Sequence, residues 1–280
     1  MDTIIGLGKG GCNIAKNFEQ YPQYNTICID TENAGYANFL RLPEQDSHED
    51  YEASYTALDL SKCGDHVGFF CVGAGRISGA LLRILEQLKD KKLWVYFIKS
   101  DATELTAKAK LREKATFFIV QEFARCNLLD RVYVLDNKMI EEHLEEVSII
   151  DYWNRINEAI ASSVHMLNYF NHTESVLSTA SGAPEPAKIQ TIGLVDVDTA
   201  QEKLFYDLQF PRQRIYYYAI NEENLRSDSR LLPSIKENMK SKTTEHCVSS
   251  YSIYGTDYEQ NYCYVELFSS FIQEQDLPER

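Results

Sequence analysis

Short apolar runs near residues 3–7, 26–30, 66–72, 93–98 and 131–135 alternate with helical patterns near 11–20, 79–90, 103–126 and 138–146. This order restricts the chain more than any other feature. Strand, helix, strand repeated along a sequence predicts a parallel sheet, because parallel neighbours need a crossover and the crossover is right-handed. The helices must then cover both faces of the sheet, which makes the first half a doubly wound α/β domain.

A longer helix is expected from Ile150 to Phe170, where Trp153, Ile156, Ile160, Val164 and Leu167 recur at intervals of three and four and form one apolar stripe. Asn171, His172 and Thr173 break the pattern. The stretch from Ser178 to Lys188, with Gly182, Pro184 and Pro186, reads as a linker or loop. Strand-like runs follow near 189–196, 214–220, 248–254 and 262–268, with one helix near 231–241 that accepts Pro233 in its first turn. The expected division is residues 1–149, a central helix over 150–171, and a smaller α+β domain over 172–280.

A chain of 280 residues is long enough for a hydrophobic core in each part. The net charge of −14 argues against direct nucleic-acid binding, which needs a basic surface to release counterions. Seven cysteines, odd in number and without a C-x-x-C pair, read as reduced thiols. Neither a basic leader nor a long apolar segment is visible, so the expectation is a cytoplasmic protein with no transmembrane segment.

Two glycine clusters fall where a strand gives way to a helix. The first, Gly6-Leu7-Gly8-Lys9-Gly10-Gly11-Cys12-Asn13, suits a phosphate: glycines let the backbone approach the anion, and the helix start offers free N–H groups with about half a positive charge. Gly6, Gly8 and Gly11 also satisfy G-x-G-x-x-G, and Asp30 ends the next strand, so a Rossmann dinucleotide site fits equally. The second cluster, Gly73-Ala74-Gly75-Arg76-Ile77-Ser78-Gly79, follows strand 66–72. Two such loops suggest one polyphosphate held from two sides, and a nucleotide-binding domain.

The paired loops resemble those of the tubulin/FtsZ superfamily. Gly6 to Asn13 matches its G-x-G-x-x-G-x-N, Asp30-Thr31-Glu32 stands for its N-T-D, and Gly73 to Gly79 keeps three glycines of its G-G-G-T-G-[ST]-G. Ala74, Arg76, Ile77 and Ser78 depart from that signature, and Arg76 either replaces lost phosphate contacts or faces solvent. Asn157-Glu158-Ala159-Ile160 is similar to the family's N-E-A-L, whose asparagine faces guanine. Asn137 stands where the family reads the base, although Asp136 or Asn137 is also a natural helix N-cap. Arg112, between Lys110 and Lys114, lies near the family's ribose and phosphate contacts.

The resemblance implies GTP or GDP with Mg²⁺, a compact GTPase that polymerises head to tail with itself, and hydrolysis completed at the subunit interface. The loop after the long helix would supply the carboxylate there, and Glu174 is that residue in this chain. No metal ligand is nominated, and an adaptor or cargo protein is a further expected partner. The alternatives are a degenerate, non-hydrolysing tubulin-like scaffold and a Rossmann-type NAD or FAD oxidoreductase. Other chemistries lack their residues: six histidines show no H-E-x-x-H spacing, and neither a G-x-S-x-G elbow nor a G-x-x-x-x-G-K-[ST] loop is present.

Overall fold

A computed structural model describes residues 1–144, 148–182 and 186–274. The chain forms two compact units, one of Met1–Ala161 with the segment from Ile272 on, the other of Ser162–Phe271.

The first unit contains β1 (Thr3–Leu7), α1 (Gly8–Lys16), β2 (Asn25–Asp30), β3 (Phe39–Arg41), α2 (His48–Ala53), β4 (His66–Val72), α3 (Leu81–Gln87), β5 (Lys92–Lys99), α4 (Ala107–Arg125), β6 (Arg131–Asp136) and α5 (Asn137–His143). The helix α6 (Tyr152–Phe170) begins in this unit and ends in the second. The strands are parallel in the order β3-β2-β1-β4-β5-β6, with Ile5 opposite both Ile27 and Phe69, and Phe97 opposite Val134. One face of the sheet carries stacked rings, Phe70 on Tyr96 at 4.5 Å and Tyr96 on Tyr133 at 4.6 Å, with Phe18 against Phe70. The other face packs Phe97 on Phe117 of α4 at 5.2 Å. Such ring pairs add about 0.5–1.5 kcal/mol each beyond the area they bury.

The helix starts follow their caps. Thr106 accepts the N–H of Ala109, so α4 begins at Ala107 and not near residue 103. Asp136 accepts the N–H of Lys138 at 2.9 Å and starts α5. Late in the chain, Gln121 of α4 and Gln273 exchange two hydrogen bonds: Gln121 Nε2 donates to Gln273 O at 3.1 Å, and Gln273 N donates to Gln121 Oε1 at 2.6 Å. Both side chains are fully buried.

The second unit holds the end of α6, β7 (Leu177–Ser178), β8 (Ile189–Val195), β9 (Glu202–Leu204), β10 (Gln213–Asn221), α7 (Glu222–Ser227), α8 (Leu231–Lys242), β11 (Val248–Thr256) and β12 (Tyr262–Ser269). Its strands run β8-β12-β10-β11-β7, with β9 on β8; β10 and β11 are parallel and the other pairs antiparallel. Phe170 closes α6 onto this sheet, 4.6 Å from the ring of Tyr254. Tyr217 donates to the buried Glu266 at 2.6 Å.

Several expectations change. Trp153, expected in the buried stripe, is 53% exposed, because the first turn of α6 overhangs the core and leaves Ile149 and Ile150 bare as well. The helix α2 lies between the runs expected at 26–30 and 66–72, where no element was expected. The helix expected over 79–90 is a 3₁₀ turn, Arg76–Ala80, followed by α3. The expected linker starts inside β7, and Pro184 lies outside the described residues.

Candidate functional site

The strand order reverses direction at β1, which lies between β2 and β4. In open parallel sheets, ligands bind outside the carboxyl ends of the strands at such a switch point. Both glycine loops leave the sheet there, one after β1 and one after β4.

In the first loop, Gly8 has φ +69°, a left-handed conformation that costs a residue with a Cβ about 1–2 kcal/mol. A Cβ on Gly6 would fall 2.4 Å from the carbonyl oxygen of Gly11, so α1 packs directly on β1. No side chain caps α1, and its first turn holds no acidic residue. The free N–H groups and positive end of this helix are left for an anion. Lys9 and Gly10 line the turn; a Cβ on Gly10 would meet Val72. Cys12 sits beneath the loop with its thiol fully buried, donating to Gly6 O and Ile29 O. The neighbouring Cys28 thiol and burial push its pKa up, so Cys12 supports the loop and does not face a ligand. Asn13 accepts the Tyr36 hydroxyl at 3.0 Å, which leaves its amide N–H₂ available.

The second loop is braced from within and from behind. Ser78 is buried, its hydroxyl 3.0 Å from Gly73 O and 2.7 Å from Gly75 O. A Cβ on Gly73 would fall 2.3 Å from the Phe97 ring, and one on Gly79 would fall inside the carbonyl of His48. Arg112 reaches across from α4 with Nε 3.1 Å and Nη2 2.9 Å from Ala74 O, so it sets the shape of the loop. Arg76 donates to Asp46 O at 3.2 Å and lies 3.8 Å from Glu44, turned toward the segment before α2. The two loops touch each other, because a Cβ on Gly8 would lie 2.7 Å from Ile77 Cγ2.

The remaining nominated residues lie at the end of β2, at the start of α5, in α6 and on the loop after α6. Asp30 accepts the N–H of Thr31 at 2.8 Å, and burial pushes its carboxyl above the usual range, with Lys9 opposing. Because Asp136 caps α5, Asn137 is free of that duty. Asn137 and Asn157 are each 8% exposed, and neither carboxamide has a hydrogen-bond partner among the described residues. Neither is among the fully enclosed unpaired polar atoms, so both carboxamide tips reach the surface with their hydrogen-bonding groups open. A hydrogen bond from Tyr152 to Glu141 at 2.7 Å ties the start of α6 to α5. Glu174, in the second unit, is exposed on the loop between α6 and β7, with Thr173 bonded to Tyr169 O and Val176 to Ile253 O on either side.

Three residues escaped the sequence reading. Tyr36 orients Asn13, and His48 and Thr116 (Nε2 to Oγ1, 3.4 Å) form a second rank behind Arg112, whose carbonyl takes the Thr116 hydroxyl. Nothing in their spacing announces these roles, which arise from tertiary contacts.

No protein-family profile and no curated protein matches the chain. Solved structures do. CetZ2 from Haloferax volcanii, in a GTPγS-bound protofilament, shares 14% identity over 96% of this chain and 92% of its own, with a TM-score of 0.69. TubZ from Bacillus thuringiensis serovar israelensis, in a GTPγS-form protofilament, gives 14% identity, 95% and 86% coverage and a TM-score of 0.69. An empty FtsZ dimer from M. jannaschii gives 11%, 95%, 87% and 0.60. At such identities the likeness shows the fold, and the fold is that of the tubulin/FtsZ superfamily.

Proposed function

We propose that this chain, which has the tubulin/FtsZ fold, binds a guanine nucleotide across its two glycine loops and assembles head to tail with itself into filaments. The observation that carries the reading is the meeting of the loops at the switch point, with Gly8 against Ile77. The N–H groups opening α1 and the amide of Asn13 take the phosphates from one side, and the loop from Gly73 to Gly79 takes them from the other. Asn137 and Asn157 offer carboxamides, each with donor and acceptor, to the guanine edge. Asp30 and Thr31 lie beside the first loop. Mg²⁺, which keeps its waters and favours phosphate oxygens over an all-protein cage, would sit with the phosphates and neutralise their charge.

Glu174 is the residue we assign to hydrolysis. It is exposed on a loop fixed at both ends and makes no hydrogen bond among the described residues, which suits a carboxylate that orients water on a nucleotide held by the next subunit. The CetZ2 and TubZ structures, each a protofilament, support self-association. No helix among the described residues is long and apolar enough to cross a membrane. A cytoplasmic location and an adaptor or cargo partner belong to the same proposal. The Rossmann alternative loses ground because the fold match extends over both units.

Sedimentation and light scattering with and without GTP and Mg²⁺ test the proposal. Nucleotide-dependent polymer supports it; calorimetry showing equal affinity for ATP and GTP, or clear NAD binding, sinks it. A second reading, a scaffold that binds nucleotide without turnover, is favoured by Ile77, whose side chain occupies space a glycine would leave open. Filaments with no phosphate release would select it.

A further inference from the structure

In the second unit, the edge of the sheet where β10 and β11 begin and β12 ends carries an exposed aromatic pair. The loop into β10 buries Phe205, Tyr206 and Leu208, yet Phe210 is 66% exposed. Its ring stands 5.3 Å from that of Phe271, which is also exposed, and the Arg212 guanidinium lies over the Phe271 ring at 5.3 Å. Val248, exposed as well, borders them, its N–H donating to Arg212 O at 3.0 Å.

This display is held against the preference of the backbone. Phe210 has φ +51°, a left-handed conformation that is an outlier for a bulky side chain, and Pro211 after it favours extended backbone. The Ser269 hydroxyl fixes the turn, 2.9 Å from Gln209 O and 3.2 Å from Phe210 O, and Arg212 N donates to Phe268 O at 2.7 Å. Backbone strain persists only where the surroundings overdetermine it, and it clusters at binding and switch regions. A buried ring would offset the strain by packing. An exposed one does so far less.

The charge at the patch names what fits it. Arg212 is exposed, and its guanidinium makes no hydrogen bond and no ion pair among the described residues. Stacking on Phe271 leaves its edge, a planar fork of N–H donors, open to a carboxylate. Aromatic rings beside an arginine are frequent anchors of protein interfaces. The loop that carries Glu174 joins the sheet through Val176 at Ile253, five residues or about 16 Å along β11 from Val248. The patch therefore lies at the other end of β11 from the loop assigned to the neighbouring subunit's nucleotide.

We propose that Phe210, Phe271 and Arg212 form a docking surface for a partner protein that presents an acidic side chain beside an aromatic or aliphatic one. The carboxylate meets the Arg212 fork, and the apolar side chain covers the two rings. The surface stands apart from the nucleotide site and does not depend on it.

A displayed library of random twelve-residue peptides, selected on the full chain, tests it. The expected winners carry Asp or Glu within a few positions of Phe, Trp or Leu. A fluorescent copy of the leading peptide should bind saturably by anisotropy, and Arg212→Ala and Phe210→Gly should each weaken it at least about tenfold, as loss of a charge-assisted hydrogen bond or of an apolar anchor requires. Glycine accepts the left-handed backbone, so Phe210→Gly should keep or raise the midpoint of urea unfolding while binding is lost. A fall in that midpoint would mean that Phe210 serves the fold, and would overturn the proposal. So would a selection with no peptide sensitive to either substitution, binding that appears only once residues 275–280 are removed, or a self-associated species that Phe210→Gly disperses in place of peptide binding; the last would assign the patch to a second copy of the chain.

Discussion

Replacing Gly8 with alanine tests the contact between the loops through two separable costs. The left-handed backbone at φ +69° charges a residue with a Cβ about 1–2 kcal/mol. The new methyl would also sit 2.7 Å from Ile77 Cγ2. That atom branches from Cβ and cannot swing away cheaply, so overpacking adds about 1–3 kcal/mol. The single variant should therefore lose about 2–5 kcal/mol in urea unfolding, with the melting midpoint falling about 2–4 °C per kcal/mol. In an Ile77→Ala background the packing cost disappears and the backbone cost stays. The double-mutant cycle should thus return a coupling of about 1–3 kcal/mol, with about 1–2 kcal/mol left over. An equal cost in both backgrounds would show that Ile77 does not press on Gly8, and no cost in either would remove the left-handed requirement.

Asn157→Ala should reduce the preference for GTP over ATP about tenfold, because a buried guanine edge loses its hydrogen-bond partner; unchanged selectivity by calorimetry would assign the base to other groups. Glu174→Ala should keep nucleotide binding and filaments while turnover drops about a hundredfold. In the wild type, turnover per subunit should vanish on dilution below the assembly threshold, and a constant rate on dilution would refute shared catalysis. Burial holds the His48 imidazole below its usual range, with Arg112 adding to the effect and Glu49 and Glu52 opposing it. The unfolded chain then binds that proton more readily, so the contribution of His48 to stability is complete above about pH 6.5 and declines as the pH falls. His48→Gln should flatten the slope of the urea midpoint between about pH 5 and 7. The slope should not vanish, since burial lowers His165 as well; an unaltered slope would show that His48 is not the titrating group.

Five of the six parallel strands of the first unit were readable because each is a nearly unbroken apolar run, whereas β3, three half-exposed to exposed residues ending in Arg41, was not; both glycine loops announced themselves at strand ends. The same reading placed Asn157 on the buried stripe of α6 and made it a base contact by resemblance, and placed Asn137 by resemblance alone; that neither carboxamide is paired among the described residues shows only in three dimensions. Periodicity misplaced Trp153, since a regular stripe does not reveal where a helix leaves the core. It also missed α2, a single polar turn that exists because Ser47 caps it and Gly79 admits the His48 carbonyl. Arg112 was nominated for ribose or phosphate; two of its five N–H donors go to Ala74 O, a contact that depends on how α4 lies over the second loop.

The exchange between Gln121 and Gln273 gives the first unit an unusual order of completion. Its main segment ends at Ala161, but the piece that satisfies the buried Gln121 amide begins at Ile272. During synthesis the ribosome must add about 110 more residues first, a delay on the order of 5–20 s at ordinary elongation rates. Through that interval the Gln121 side chain lacks its contacts to Gln273, so the first unit waits for the second to be made. A nascent chain is thereby held back from a finished first unit until the segment that provides Glu174 has already emerged.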